Sequence, residues 1–418
     1  MEHDVAIIGC GRVGLPLALA FADRGLRTIG IEVDPQRLEA VRSARMPFEE
    51  PGGQEVLERV TAAGTIAWSD RVADAAGAEH IVITLGTPSF SHIEIDMRDI
   101  RSALDDLLPH LRAGHSLTLR STVAPGTTDF VAGYLRKHRD LAIGEDVFVA
   151  HAPERIAAGR FFAEIVSLPC IVGGVGERSG EVVGGLFQVF GAPIVQTTPI
   201  QAELAKIWTN ILRYVQFALP NRLMMECEQY GANVFEVIDL INRDYPRGGM
   251  AMPGFTAGTC LRKDFTFSEE RSPAPGMLLA VSRVHESVPL FIVEGLKRRL
   301  GSLEGRKVAV LGLAFKADTD DERDSLAHKL IRLLERELAD VVAHDPHVQT
   351  PTASFEDALL DADAVVVAAN HSEFRGRDVL RAIADSARRD AVVADPWDCF
   401  GAAQVFGYAS ELAALAPR

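Results

Sequence analysis

At 418 residues the chain exceeds what one hydrophobic core usually organises, so two or three domains are expected, and 47% apolar residues supply sizeable cores. A formal charge of −15 argues against a nucleic-acid surface while leaving room for a local basic pocket around a small phosphorylated ligand. No apolar run reaches the roughly 20 residues that cross a bilayer, and MEHDVAIIGC enters a strand-like segment with no basic leader ahead of it, so no membrane partner and a cytoplasmic location are expected.

Taken in chain order, the apolar runs DVAIIG, RTIGIE, HIVITLG, SLTLRST, DVFVAHAP and CIVGG alternate with longer amphipathic stretches, the rhythm of a parallel α/β sheet. From Pro199 the period becomes helical. Leu204, Ile207, Trp208, Ile211, Leu212 and Val215 recur at three- and four-residue intervals and predict a buried helix, which Pro220 should bend or end. A Pro- and Gly-rich loop spans Tyr245 to Gly258, and the strand rhythm returns after Gly301 in KVAVLGLAF, DVVAHDP, DAVVVAAN and AVVADP. The expectation is an α/β protein with a Rossmann domain over 1–198, a helical domain over 199–300 and a Rossmann-like domain over 301–418.

Gly9, Gly11 and Gly14 form GxGxxG, with Arg12 and Val13 inside it, directly after the first strand and before a helix. Glycines there let backbone approach a pyrophosphate, and the helix N-terminus adds free N–H groups and partial positive charge. Glu32, at the end of the second strand, is placed to accept from ribose hydroxyls and to repel a 2′-phosphate, so the expected cofactor is NAD rather than NADP. Asp34 and Arg37 read equally well as a solvated helix start or as contacts to the adenosine.

The five cysteines lie far apart, with neither CxxC nor zinc-ligand spacing, and the twelve histidines include no HExxH pair; reduced thiols and no metal are expected. One thiol stands out. Cys260, in PGFTAGTCLRKD, has Gly-rich backbone before it and Lys263 and Asp264 after it, the ingredients of an activated nucleophile, although a lone cysteine is more often a buried inert thiol. Lys206, Asn210 and Arg213 share a helical face that either projects into a cleft or is merely a polar surface. His151-Ala-Pro153-Glu154-Arg155 ends a strand, where α/β sheets hold ligands and where plain turns also occur.

In combination, GCGRVGLP (9–16), GTP (86–88), STVAPGTT (121–128), PER (153–155), the Lys206 and Asn210 helix, PGFTAGTCLRKD and VLGLAFKADTDDERDS resemble, in order, the UDP-glucose/GDP-mannose dehydrogenase family. The resemblance implies an NAD-binding N-terminal domain, a central domain that dimerises, a C-terminal domain that grips a nucleotide sugar, and two successive hydride transfers that carry the C6 alcohol of a UDP-hexose or UDP-N-acetylhexosamine to the uronate. By position it implies Cys260 as the nucleophile, which would carry a thiohemiacetal and then a thioester. Lys206 and Asn210 match oxyanion stabilisers, Asp264 the carboxylate of proton transfer, Glu154 the acid of thioester hydrolysis and Thr122 an active-site hydroxyl. Thr87, Thr122 and Arg323 fall on the cofactor side. Glu154, Arg155, Lys206, Asn210, Phe255, Gly258, Phe315 and Lys316 fall on the substrate side, with Arg247 either reaching the neighbouring subunit's substrate or serving as a loop charge. Ala158 stands where UDP-glucose dehydrogenases usually carry a second Glu, and His285 stands where Asn is common. Thr259 and Arg262 also stand at positions of the cysteine motif that the family often fills differently, and PER is more usual in the branch acting on N-acetylhexosamine nucleotides. The rivals are a 3-hydroxyacid dehydrogenase, which needs neither the thiol nor the third domain, and a non-catalytic nucleotide-sugar sensor.

Overall fold

The computed structural model describes residues 1–87, 97–256, 258–269, 272 and 275–414; Pro88 and Ala257 of the motifs above lie outside them. Two compact units emerge: Met1–Thr209 with Thr266–Arg271, and Asn210–Phe265 with Ser272–Arg418.

The first unit is built on an eight-stranded sheet: β1 (His3–Ile8), β2 (Thr28–Ile31), β3 (Ile66–Ser69), β4 (Ala78–Ile83), β5 (Ser116–Leu119), β6 (Phe148–His151), β7 (Cys170–Gly174) and β8 (Ile194–Thr197), in the order β3-β2-β1-β4-β5-β6-β7-β8. Its first six strands have the arrangement of a dinucleotide-binding sheet. The apolar runs of β1 and of the end of β4 follow from burial on both faces, with Ile8 and Ile81 in one core and Val5, Ile7 and Val82 in another, whereas β5 alternates Leu117 and Leu119 with the buried polar Ser116 and Thr118. The helix Gly14–Asp23 is apolar almost all round because it is enclosed: Leu17 and Phe21 join the core on one side, Leu15 and Leu19 pack with Val56 and Leu57 on the other. Two strands depart from the parallel reading, since β7 runs antiparallel to β6 and β8 runs parallel to β7.

The second unit holds a five-stranded sheet: β9 (Lys307–Leu311), β10 (Asp340–His344), β11 (Ala364–Val367), β12 (Val392–Ala394) and β13 (Phe406–Tyr408), ordered β10-β9-β11-β12-β13, with β13 antiparallel at the edge. Its main core joins Val288, Ile292 and Leu296 of the helix Met277–Leu300 to Val308, Val310 and Val366 of the strands.

A single long helix, Pro199–Tyr230, begins in the first unit and continues into the second. The expected wholly buried helix is corrected here. Ile207 and Ile211 are buried, but Leu204, Trp208 and Leu212 are exposed, so the apolar pattern belongs to two faces of which only one meets a core. Pro220 does not end the helix; Met224 and Cys227 beyond it are anchored in the second unit's core, which outweighs one missing backbone hydrogen bond.

Candidate active site

In the first unit the glycine turn closes where the fingerprint requires. A Cβ on Gly14 would stand 2.0 Å from the Gly9 carbonyl oxygen and 2.4 Å from Thr84 Oγ1, so only glycine lets the helix start this close to β1. Thr84 Oγ1 donates to the Gly9 carbonyl over 2.6 Å and sets the turn from the neighbouring strand. No side chain caps the N-terminus of the helix that follows, which leaves that end for an anion. Arg12 lies over the Phe48 ring, and Val13 is the residue at which the helix begins.

Glu32, buried at the end of β2, accepts the Asp34 N–H through Oε1, while Oε2 pairs with Arg37 at 3.2 Å yet accepts no hydrogen bond. An orphaned buried carboxylate oxygen at this point suits a ribose hydroxyl, so the residues present fit NAD. Asp34 caps the helix Pro35–Arg42 through the N–H groups of Gln36 and Arg37, and the Arg37 guanidinium bridges Asp34 and Glu32. Thr87 donates to the Thr122 carbonyl (2.6 Å) and Ser121 to the Leu85 carbonyl (2.6 Å), tying together the loops after β4 and β5.

Just after β5, facing the end of β6, the structure contributes a residue that the sequence reading missed. Arg120, buried, donates through Nη2 to Glu154 Oε2 at 2.7 Å and through Nη1 to the carbonyls of Ala152 and Pro153, with its plane over the Phe187 ring. Glu154 Oε1 accepts the N–H groups of Arg155 (2.7 Å) and Ile156 (2.8 Å). Glu154 is therefore held on both oxygens as a fixed carboxylate. Arg155 turns its own guanidinium to the Pro169 carbonyl. Burial pushes the His151 imidazole down to about 3, with Arg120 and the buried Lys206 acting in the same direction, so His151 is neutral.

In the second unit, Asn210 Nδ2 donates to the buried Asp264 Oδ2 at 2.6 Å. Cys260 is the second residue of the helix Thr259–Glu269, one turn before Asp264. Of the five cysteines it is the exposed one; burial pushes the thiols of Cys10 and Cys399 far up, which makes them inert. A place in the first turn of a helix favours thiolate. So does Arg323, whose guanidinium is paired with Asp321 and feels the Cys260 charge. Gly258, at φ +94, lets the loop lie on Phe315, where a Cβ would come within 2.5 Å of the ring. Phe255 is packed into the core, Lys316 is half-buried, and the exposed Arg247 donates to the Tyr245 hydroxyl while covering its ring.

A clamp behind the cysteine loop was also missed. Asn221 exchanges two hydrogen bonds with the backbone of Gly254 (2.9 and 2.8 Å), and its amide faces His285 Nδ1 at 3.3 Å. His285 Nε2 donates to the Tyr214 carbonyl at 2.8 Å, and the two rings stack. Pro220 just before Asn221 drew attention to the bend instead; no local motif marks Asn221.

Thus the first unit gathers the glycine turn, Glu32, Arg37, Thr87, Thr122 and Glu154 at the C-terminal ends of its strands, and holds Lys206. The second gathers Asn210, Asp264, Cys260, Gly258, Phe315 and Arg323. Lys206 and Asn210 keep their one-turn spacing on the long helix.

Comparison with known proteins agrees in order and extent. Residues 3–191 match the NAD binding domain of the UDP-glucose/GDP-mannose dehydrogenase family, residues 200–285 its central domain and residues 309–402 its UDP binding domain. A UDP-N-acetyl-D-mannosamine dehydrogenase of Pyrococcus horikoshii is 32% identical over 378 residues, 89% of this chain and 90% of that one. An NDP-N-acetyl-D-galactosaminuronic acid dehydrogenase of Ralstonia solanacearum is 30% identical over 399 residues, 91% of this chain and 93% of that one. The solved structure of a UDP-N-acetyl-mannosamine dehydrogenase from Staphylococcus aureus superposes with a TM-score of 0.85 at 29% identity, covering 95% of each chain.

Proposed function

The chain belongs to the UDP-glucose/GDP-mannose dehydrogenase family, and from that premise we propose that it oxidises the C6 alcohol of a UDP-N-acetylhexosamine, UDP-N-acetyl-D-mannosamine first among them, to the uronate. The nucleotide-sugar class and NAD dependence are those of the family; the N-acetyl sugar rests on the names of the relatives and on Arg155 in PER. The glycine turn and Glu32 would hold NAD, which would supply the hydride acceptor, one molecule for each of the two oxidations. All other chemistry falls to the chain.

The first oxidation leaves an aldehyde at C6. The Cys260 sulfur adds to that carbon, and the resulting thiohemiacetal gives up its hydroxyl proton and the remaining hydride on C6 to become a thioester. Water then attacks, the C–S bond breaks, and the carboxylate leaves with one oxygen from water while the thiol is restored. Both tetrahedral species carry charge on oxygen. Asn210 has two amide protons, and the one donated to Asp264 fixes the direction of the other. With the Lys206 ammonium it makes a pair of oxyanion donors, each worth roughly 3 to 4 kcal/mol in comparable sites. Asp264 orients Asn210 and takes up protons, and Glu154, fixed as a carboxylate by Arg120, serves the attack of water. The observation that carries this reading is the Asn210–Asp264 hydrogen bond one helical turn from the exposed cysteine. A 3-hydroxyacid dehydrogenase would leave both Cys260 and residues 309–402 without a role. NADH formation across UDP-glucose, UDP-N-acetylglucosamine, UDP-N-acetylmannosamine, GDP-mannose and dTDP-glucose tests the substrate: the highest kcat/KM belongs to an N-acetylated UDP sugar, and a preference for UDP-glucose or GDP-mannose overturns it.

The partition 1–198, 199–300 and 301–418 is proposed as the working division into cofactor, dimerising and nucleotide-sugar parts. A second copy covers the exposed Ile200, Leu204, Trp208, Leu212 and Leu219 of the long helix, an apolar stripe that a monomer would leave in water. Arg247 then serves the partner's substrate, and mixing Arg247→Ala with Cys260→Ala chains restores part of the activity if it does. No helix among the described residues is long and apolar enough to cross a membrane, and a cytoplasmic location is part of the proposal.

A further inference from the structure

Three loops of the five-stranded sheet carry a cluster that the oxidation does not use. Asp318 follows β9, His347 follows β10, and His371 and Glu373 follow β11; donor atoms of all four side chains lie within 4.8 Å of one another. The chain goes from β9 out to β10 and returns past β9 to β11, so the loops after β9 and β11 flank the point where strand order reverses. Open α/β sheets hold ligands in that crevice.

The donors are spaced for a shared ion. His347 Nε2 stands 3.3 Å from the Glu373 carboxylate, and two donors each about 2.1 Å from one ion stand roughly 3.4 Å apart at a tetrahedral angle. The Asp318 carboxylate accepts the Ser372 N–H and hydroxyl, each at 2.7 Å, which uses one lone pair on each oxygen and fixes its direction. His371 is fully buried and set from behind: Nε2 donates to the buried Asp345 at 3.1 Å, Nδ1 accepts the Asp318 N–H at 2.9 Å, and its ring lies against His347, 4.8 Å between centroids. A carboxylate behind a histidine is the usual support of a metal centre, here ordering both Asp318 and His347 rather than supplying the bond itself.

We propose that Asp318, His347 and Glu373 bind one divalent transition-metal ion, with His371 as the positioning residue. One imidazole with two carboxylates neutralises a divalent ion, and nitrogen among the donors selects Zn²⁺ or Co²⁺ over Mg²⁺ and Ca²⁺. Water completes the coordination. The ion ties together the three loops at the crevice of this sheet. Chain separation hid the site, since its ligands come from three loops rather than from one HxxxH-like stretch.

The test uses the full chain, stripped with a chelator and titrated with Zn²⁺ by calorimetry and with Co²⁺ by visible absorption. One saturable equivalent of Zn²⁺ at micromolar affinity or tighter is expected, together with Co²⁺ d–d bands and a higher melting temperature in Zn²⁺. Glu373→Gln and His347→Gln should each weaken binding at least tenfold, and the double variant should lose the equivalent, the bands and the thermal gain. Both side chains reach the surface, and far-UV circular dichroism confirms that the variants fold. No saturable uptake, as a plain His347–Glu373 ion pair would give, overturns the proposal. So does uptake unchanged in the double variant, which would place the ion on other histidines.

Discussion

Asn210 and Asp264 meet through one short hydrogen bond, Nδ2 to Oδ2 at 2.6 Å, although 54 positions separate them, and Cys260 stands one helical turn upstream of the acceptor. If that bond aims the second amide proton of Asn210 at the oxyanion, Asp264→Asn removes the aim without changing side-chain volume. A fall in kcat on the order of 10²-fold with KM nearly constant is expected from steady-state NADH kinetics. An unchanged kcat would remove Asp264 from the mechanism.

Arg120 and Glu154 form a buried pair, and cutting it from one side leaves a carboxylate without its cation. Arg120→Met should cost about 3 to 5 kcal/mol of stability, read as a lower urea midpoint. The double variant Arg120→Met/Glu154→Gln should recover much of that loss, because no bare charge remains, while staying slow in acid release. Equal destabilisation of the single and double variants would contradict the pairing.

Glu32 offers a buried oxygen that accepts no hydrogen bond within the chain. Glu32→Ala should lower kcat/KM for NAD by about ten- to a hundredfold, the value of a hydrogen bond to a charged group, and narrow the preference over NADP. Faster wild-type turnover with NADP than with NAD would refute the assignment.

His285 provides a pH test of the clamp behind the cysteine loop. Burial holds its imidazole down to about 4, outweighing the Tyr214 carbonyl and Glu286, which act the other way. The unfolded chain therefore binds a proton near pH 6.5 that the folded one refuses until about 4, and stability, full above 6.5, falls as pH drops through that window. The loss approaches roughly 3 kcal/mol from this group, and His151 adds its own loss from the same upper limit down to about 3. His285→Gln keeps a donor for Tyr214 and an acceptor for Asn221 but does not titrate, so its melting temperature should fall less between pH 7 and pH 5. Parallel pH profiles would show that His285 takes up its proton alike in the folded and the unfolded chain, contradicting its burial.

What was legible in the sequence follows from how locally each feature is encoded. The glycine turn and the cysteine loop lie in consecutive residues, and the inner strands announce themselves as apolar runs because both of their faces are buried. β3, β8 and β13 escaped because they are half-exposed edge or near-edge strands with no continuous apolar run. Arg120 and Asn221 have roles defined only by partners dozens of residues away, Glu154 and Gly254. Periodicity found the apolar positions of the long helix but could not say that Leu204, Trp208 and Leu212 face away from either core, since a face awaiting a partner and a face in a core have the same spacing.

The covalent step through Cys260 is measured most directly by product analysis and intact-protein mass spectrometry on three chains. The wild type should form two NADH per sugar and release uronate without accumulating aldehyde. Cys260→Ala should bind nucleotide sugar and NAD yet make no acid, and Cys260→Ser, whose ester hydrolyses far more slowly, should show a sugar adduct on the intact chain. Acid production by Cys260→Ala at a rate near wild type would contradict the mechanism and leave Cys260 a structural thiol.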